Sequence, residues 1–207
     1  IPTVLVTGAA KRLGREIALQ RATSGGRGAV HYRDSVEDAT KTVADCARLT
    51  GGATAFRCNL GNETAVRNLL PAVIEKMGHV DAIVNSASTF EHDTARTFTF
   101  AAMEKHLRSN AGAAILLSEA LHSHIASRQT EPRSDAAEGQ QLPAGPSQGK
   151  LAPSGGSDPR SGGAWGQGVV VNLLDQKLWN QNPDLMSYTL SKAALEAANT
   201  MLALPLS

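Results

Sequence analysis

The chain has 207 residues, of which 42% are hydrophobic and 19% charged, a composition typical of a globular domain. Its formal net charge of +1 provides no strong field for nucleic acid or an anionic membrane, and no apolar run approaches the roughly 20 residues of a membrane span. The two cysteines, Cys46 and Cys58, indicate neither a disulfide framework nor a metal site, so we expect a cytoplasmic protein without a bound metal.

Strands and helices are predicted to alternate along the chain. Short β-branched apolar runs bounded by glycine indicate buried parallel strands, and apolar residues at helical spacing indicate the helices between them. The expected elements are, in chain order, strand Thr3–Thr7, helix Leu13–Thr23, strand Ala29–Tyr32, a helix N-capped by Ser35, strand Ala53–Cys58, helix Asn62–Met77, strand Val80–Asn85, helix Phe100–Ser127 with a partial interruption at Gly112, strand Gly168–Leu174 and helix Ser187–Leu204. This order predicts one α/β domain over 1–207: a Rossmann-type, doubly wound parallel sheet in three α/β/α layers.

One segment departs from this alternation. Residues 128–166 hold most of the prolines and many Gly, Ser and Gln, with almost no bulky apolar side chain before Trp165. Such a composition buries too little surface to offset chain entropy, so we predict a flexible surface insertion, with a partner-binding segment as the alternative. Position 1 is Ile and not Met, which is compatible with a chain that has lost a targeting segment.

A turn with small residues joins the first strand to the first helix, in the run Thr7-Gly-Ala-Ala-Lys-Arg-Leu-Gly14. Small residues there let a pyrophosphate approach the backbone, and the helix start supplies free N–H groups and positive dipole. An ordinary tight turn is the alternative, and the position directly after the first strand favours a phosphate-binding loop.

Two further motifs follow in order: Asn85-Ser-Ala-Ser88 after the fourth strand, and Tyr188-Thr-Leu-Ser-Lys192 on the last helix. Together with the first loop they resemble the short-chain dehydrogenase/reductase family, over essentially all of the chain except the insertion. Arg12 replaces the middle glycine of the usual family loop, and with Lys11 it is similar to the pteridine reductase branch. Ser88 also matches that branch.

The resemblance implies a nicotinamide cofactor along the carboxyl ends of the strands. An acidic residue after the second strand would bind the ribose 2′-hydroxyl, whereas basic residues suit a 2′-phosphate. His31-Tyr-Arg-Asp-Ser35 therefore favours NADPH, with NADH as the alternative, although Asp34 occupies the position of the family arginine. The implied cofactor-binding residues are Gly8, Lys11, Arg12, Leu13, Gly14, His31, Tyr32, Arg33, Ser35, Asn59, Leu60, Asn85, Ser86, Ala87, Tyr188 and Lys192.

The reacting centre is predicted around Tyr188 and Lys192, which share one helix face because they are four residues apart. Hydride reduction of a carbonyl or imine needs a proton donor, and we expect the Lys192 cation to lower the pKa of Tyr188 toward neutrality. The resemblance adds Asn110 as a catalytic residue that distorts the long helix and holds a water linked to Lys192. A helix asparagine that bonds its own backbone is the alternative.

Asp175 stands where the family has its catalytic serine. In pteridine reductases an aspartate there partners the tyrosine, and a carboxylate can bind the N–H-rich edge of a pterin bidentately. A loop-capping Asp175 is the alternative. The implied substrate-binding residues are Arg12, Ser88, Phe90, Asp175 and Tyr188, with a core role for Phe90 left open; Trp179 is expected either to line the pocket or to pack the loop.

Three functions follow as hypotheses. The first is an NADPH-dependent reductase of a pterin-like small molecule, such as a dihydropterin or dihydrofolate. The second is a reductase of another small carbonyl or imine compound. The third is a cofactor-binding protein without turnover, because the chain stops at Ser207, where family members continue with further strands and a substrate-covering segment. The resemblance also implies a homodimer or homotetramer through the long helix and the Tyr188 helix.

Overall fold

The computed structural model describes residues 1–49, 52–130 and 168–203. Five strands and six α-helices alternate in the described residues. The strands are β1 (Thr3–Val6), β2 (Arg27–Tyr32), β3 (Ala53–Arg57), β4 (Ala82–Asn85) and β5 (Val169–Asn172). The helices are α1 (Arg12–Thr23), α2 (Val36–Ala47), α3 (Glu63–Met77), α4 (Phe100–Leu107), α5 (Ala113–Thr130) and α6 (Met186–Leu202).

All described strands run parallel in one sheet of order β3-β2-β1-β4-β5. The short central strand β1 pairs with β2 on one side and β4 on the other, so that Leu5 lies opposite both Ala29 and Ile83. The chain therefore winds outward in one direction to β3, then returns across β1 to β4. This reversal leaves a crevice between the loops after β1 and β4, where ligands bind in such sheets.

Alternate strand residues serve opposite faces of the sheet, because side chains in a strand have a period of two. Leu5 and Ile83 are fully buried against α3 and α5, whereas Val6 and Val30 are fully buried against α1 and α2. The predicted three-layer, doubly wound α/β fold is thus confirmed.

The long predicted helix is divided where its sequence is least helical. Residues Arg108–Gly112 form a π-helical turn between α4 and α5. The predicted interruption at Gly112 is correct, but it begins four residues earlier and includes Asn110. An added Cβ at Gly112 would meet only the Leu107 carbonyl oxygen at 3.5 Å, which is ordinary contact, so crowding at the glycine is not the cause. π-Turns within helices are frequent at functional sites.

Several predicted boundaries change. Ser35 takes the N-cap position of α2, but its side chain makes no capping hydrogen bond. The predicted insertion starts too early, because Arg128 belongs to the last turn of α5 and donates to the Asp81 carboxylate at 3.0 Å. The remainder of that predicted insertion, 131–166, lies outside the described residues, as does the predicted helix end at Leu204.

Candidate active site

The loop between β1 and α1 fits closely against the start of the loop after β4. Gly8 has φ +66°, and a Cβ there would come within 2.9 Å of the Ala87 Cα. A Cβ on Gly14 would lie 2.4 Å from the carbonyl oxygen of Gly8, so the helix approaches the strand end only because Gly14 lacks one. Thr7 Oγ1 accepts from the N–H groups of Ser86 and Ala87, both at 3.0 Å, and joins the two loops.

Arg12 occupies an unusual backbone conformation. Its φ of +55° makes it the one described non-glycine residue in the left-handed region, where a side chain costs free energy. Its exposed guanidinium forms no ion pair with any described residue. The neighbouring Lys11, by contrast, pairs with Asp38 at 3.5 Å. The strain and the unpaired cation coincide at the turn predicted to bind a pyrophosphate.

His31 lies beneath this loop and holds its backbone. Its Nδ1 accepts from the Gly8 N–H at 3.0 Å, while Nε2 lies 3.0 Å from the Cys58 carbonyl oxygen, to which it can donate. Burial lowers the pKa of His31 to about 4, against a smaller opposing effect of the Cys58 carbonyl. Both ring nitrogens are used by the protein, so His31 supports the predicted cofactor loop and offers no ring nitrogen to a ligand.

Two arginines surround one carboxylate at the end of β2. Arg33 Nε donates to Asp34 at 2.6 Å, and Arg57 Nη2 lies 3.7 Å from the other oxygen of the same carboxylate. Arg57, at the end of β3, is also anchored through Nε to the Arg33 carbonyl oxygen at 3.0 Å. Sequence analysis missed Arg57, since the pairing of Tyr32 with Arg57 emerges only from the strand register.

A groove of about 1180 Å³ runs along the carboxyl ends of the strands and past these loops. The predicted residues that line it are Gly8, Lys11, Arg12, Leu13, Gly14, His31, Tyr32, Arg33, Ser35, Asn59, Leu60, Ser86, Ala87, Ser88, Phe90, Tyr188 and Lys192. Asn85, Asn110 and Asp175 are not among them. Asn85 is buried, and its amide donates to Asn172 Oδ1 at 2.8 Å, tying β4 to β5. The roles of these residues in binding a cofactor or substrate stay predictions.

The reacting centre lies at one end of the groove. Tyr188 donates its phenol hydrogen to Asp175 Oδ2 at 2.6 Å. Lys192 Nζ donates to the Leu173 carbonyl oxygen at 2.8 Å and lies 6.0 Å from the centre of the Tyr188 ring. The other oxygen of Asp175 accepts from the Lys177 N–H at 2.9 Å. Asp175 therefore caps its loop and also accepts from Tyr188, while its role in binding a substrate stays a prediction.

The electrostatics at this pair differ from the sequence expectation. Burial and then the Asp175 hydrogen bond and charge raise the pKa of Tyr188, so the predicted lowering by Lys192 is wrong for this arrangement. Burial also lowers the pKa of Lys192, against the charge of Asp175. For Asp175, burial acts to raise the pKa, but the bonds from Tyr188 and Lys177 and the lysine charges outweigh it and hold the pKa below its usual value. Tyr188 is consequently a neutral donor beside an ionised carboxylate.

Asn110 lies in the π-turn, as the predicted helix distortion requires, and binds neighbouring loops. Its Oδ1 accepts from the Thr89 N–H at 2.7 Å, and its Nδ2 donates to the Thr89 carbonyl and to Ser191 Oγ, both at 2.9 Å. The Asn110 side chain thus joins the loop after β4 to α6. None of these hydrogen bonds goes to the backbone of its own helix. The water link to Lys192 stays a prediction.

Phe90 faces the groove and packs edge-on against Tyr188, with ring centres 4.8 Å apart at 70°. It is 53% exposed, so the alternative of a core phenylalanine is wrong. Trp179 is 75% exposed and lies outside the groove lining, which contradicts both roles considered for it.

Asp93 was not anticipated. This buried carboxylate binds both the backbone N–H and the hydroxyl of Ser187, one residue before Tyr188. No local pattern identifies it, because its partners are 94 residues away in the chain.

Within the described ranges, no helix is both long and apolar enough to cross a membrane. The same residues contain no group of three or more His, Cys, Asp or Glu side chains placed to hold a metal ion.

The curated relatives match less than half of the chain. A 3-oxoacyl-[acyl-carrier-protein] reductase, FabG, from Staphylococcus aureus is 34% identical over 85 residues, which cover 41% of this chain and 35% of the relative. A short-chain dehydrogenase/reductase homolog, YusS, from Bacillus subtilis is 31% identical over 88 residues, covering 42% of this chain and 81% of the relative. The match thus spans about a third of the length of the reductases.

Solved structures resemble the chain more fully. The FolM alternative dihydrofolate reductase 1 of Brucella suis, in complex with NADP, has a TM-score of 0.74 and 26% identity, covering 98% of this chain and 68% of the other. The promiscuous reductase LugOII, at 23% identity and a TM-score of 0.72, supports the fold alone. The family model for short chain dehydrogenases matches residues 2–131, more than half of the sequence. The chain belongs to the short-chain dehydrogenase family.

Proposed function

We propose that the chain is an NADPH-dependent reductase that acts on a pterin-like substrate. The observation that carries this proposal is the 2.6 Å hydrogen bond to Asp175 from Tyr188, which lines the groove together with Lys192. A tyrosine whose partner is a carboxylate suits a substrate edge rich in N–H groups, because such an edge can donate two hydrogen bonds to one carboxylate.

The cofactor loop and the end of β2 fit a dinucleotide with a 2′-phosphate. Gly8 and Gly14, where no Cβ fits, line the groove at the turn predicted to bind the pyrophosphate, and the unpaired Arg12 cation lines it beside them. At the other end, Arg33 and Arg57 carry two positive charges against the single negative charge of Asp34. This net positive charge favours a phosphate over a ribose hydroxyl, which supports NADPH.

NADPH, when bound, supplies the hydride. Tyr188 then donates its phenol proton to the ring nitrogen of the reduced C=N bond and recovers a proton from solvent. Its raised pKa keeps the phenol protonated at neutral pH, and the ionised Asp175 accepts N–H bonds that orient the ring. Phe90 offers an exposed aromatic face or edge beside Tyr188 for the flat ring.

A substrate panel tests the proposal. Dihydrobiopterin, dihydrofolate and simple ketones would each be mixed with NADPH, and the loss of NADPH absorbance would be followed. We expect turnover with the pterins and little with the ketones. Equal turnover with NADH would contradict the cofactor assignment, and turnover of ketones alone would contradict the substrate assignment.

A reductase of another small carbonyl compound is the second candidate. The likeness to a 3-oxoacyl reductase favours it, although the match covers only 41% of this chain. Asp175 separates the two candidates, since its carboxylate can accept N–H bonds from a pterin edge, whereas a simple carbonyl compound has no N–H group to donate. Binding of NADPH without turnover of any compound would favour the third candidate, a silent cofactor-binding protein.

We further propose that the chain self-associates in a reducing, cytoplasmic setting. Exposed apolar side chains on α5 and α6, Ile115, Leu190 and Met201, are consistent with a covered face. Light scattering tests this: a dimer or tetramer is expected, and a monomer at micromolar concentration would contradict it.

A further inference from the structure

We infer that Asp93 is a positioning residue that holds Tyr188 in place by capping α6 from the loop after β4. The inference rests on the proposed function only for its kinetic test, because the contacts themselves belong to the chain. We call the Asp93–Ser187 contact the α6 latch.

The start of α6 has no cap of its own. Leu185 occupies the N-cap position and makes no side-chain hydrogen bond to the helix. The Asp93 carboxylate takes over this role: Oδ1 accepts from the Ser187 N–H at 2.9 Å, and Oδ2 accepts from the Ser187 hydroxyl. A negative charge at a helix start also stabilises the positive end of the dipole.

The backbone strengthens the latch. The Asp93 N–H donates to the Asp184 carbonyl oxygen at 3.2 Å, and the Met186 N–H donates to the Asp93 carbonyl at 3.1 Å. Asp93 and Leu185 thus form a short parallel bridge. Asp93 and Ser187 are 7% and 0% exposed, so water does not compete strongly for these bonds.

The latch is one of two hydrogen-bonded connections, one on each side of Tyr188, that we call ties. The second runs from Thr89 through Asn110 to Ser191, on the next turn of α6. Both begin in the loop after β4, which also carries Phe90 against the Tyr188 ring. Loss of the latch would free the first turn of α6, which contains Tyr188, while the second tie would keep the rest of the helix docked.

The test compares Asp93→Ala with Asp81→Ala, which removes an equally buried carboxylate from the opposite end of the sheet. The chain has two tyrosines, so labelling tyrosine with ¹³C at Cζ gives two signals, and Tyr32→Phe assigns them. In Asp93→Ala, we expect the Tyr188 signal to move toward that of a solvent-exposed tyrosine. We expect kcat to fall on the order of 10-fold to 100-fold, with the Kd for NADPH unchanged.

Asp81→Ala should lower the melting temperature without moving the Tyr188 signal or kcat. Asp93→Asn, which keeps an oxygen acceptor for the Ser187 N–H, should restore most of both readouts. An unchanged Tyr188 signal in Asp93→Ala, or an equal shift in Asp81→Ala, would overturn the inference.

If Asp93→Ala does not fold, Ser187→Ala decides, because it removes only the hydroxyl bond. A smaller shift of the Tyr188 signal in the same direction supports the latch, and an unchanged signal overturns it. The two proposals fail separately: absence of all turnover would refute the reductase, while the Tyr188 signal would still report on the latch.

Discussion

Charged side chains have different surroundings at the two ends of the parallel sheet. At the amino end, Asp81 is 5% exposed and its carboxylate is surrounded: it accepts from the Thr3 N–H at 2.7 Å and from Arg128 at 3.0 Å, with His79 at 3.3 Å. At the carboxyl end, Arg12 is exposed and strained, and Asp175 has a phenol as its side-chain partner.

This difference separates stability from chemistry. The partners of Asp81 are a backbone N–H, an arginine and a histidine, which fix the last turn of α5 to the sheet. The partner of Asp175 is a hydroxyl group that can pass its proton to a substrate. Substitutions at the carboxyl end should therefore change turnover, and substitutions at the amino end should change stability.

The largest effect is expected from Tyr188→Phe. Removal of the proton donor should lower kcat on the order of 100-fold to 10,000-fold, because general acid catalysis contributes about that much. The Kd for NADPH, measured by fluorescence, should change little. Arg67→Ala, an exposed change on α3, is the control. Full activity in Tyr188→Phe would remove the assignment of the donor.

Asp175→Ser should abolish reduction of dihydropterin or dihydrofolate, because serine cannot accept two N–H bonds from the ring edge. Steady-state kinetics with NADPH measures this. Asp175→Asn, which keeps the size but not the charge, shows whether the carboxylate charge is needed. Undiminished pterin turnover in Asp175→Ser would exclude the proposed substrate role.

Asp81→Asn should lower the free energy of unfolding by about 2 kcal/mol, since it removes the charge that pairs with Arg128 and leaves one acceptor oxygen for the Thr3 N–H and Arg128. Urea unfolding measures the change, and the Kd for NADPH should stay the same. A weakened Kd with unchanged stability would break the proposed separation between the two ends.

His31, at the carboxyl end of the sheet, makes the free energy of unfolding depend on pH. Its folded pKa of about 4 lies below the ordinary 6.5, so the unfolded chain binds more protons between these values. The resulting stability is fully present above pH 6.5 and is lost as pH falls toward 4, by about 3 kcal/mol in total. His31→Asn should reduce this acid loss in urea unfolding; an identical pH dependence in the variant would contradict the account.

The smallest effect is expected at an exposed surface pair. Arg67 and Glu63 form an exposed pair on α3 at 2.8 Å. Arg67→Ala should change the free energy of unfolding by about 0.5 kcal/mol or less, because water screens such pairs. A change as large as that of Asp81→Asn would show that the assay does not resolve buried from exposed charge.

The sequence predicts the sheet well because buried parallel strands leave a strong apolar signal, as in Thr3–Val6. Helical spacing also predicts that Tyr188 and Lys192 share one face of α6, and Lys192 Nζ lies 6.0 Å from the Tyr188 ring centre. The sequence does not reveal Asp93 or Arg57, whose partners come from distant strands and loops, nor the raised pKa of Tyr188, which depends on burial.

The central claim is tested most directly by NADPH oxidation with dihydrobiopterin, measured for the unaltered chain, Tyr188→Phe and Asp175→Ser side by side. We predict turnover by the unaltered chain and its loss in both variants, with NADPH binding retained in all three. Turnover of dihydrobiopterin that survives in both variants, or its absence in the unaltered chain, would contradict the claim.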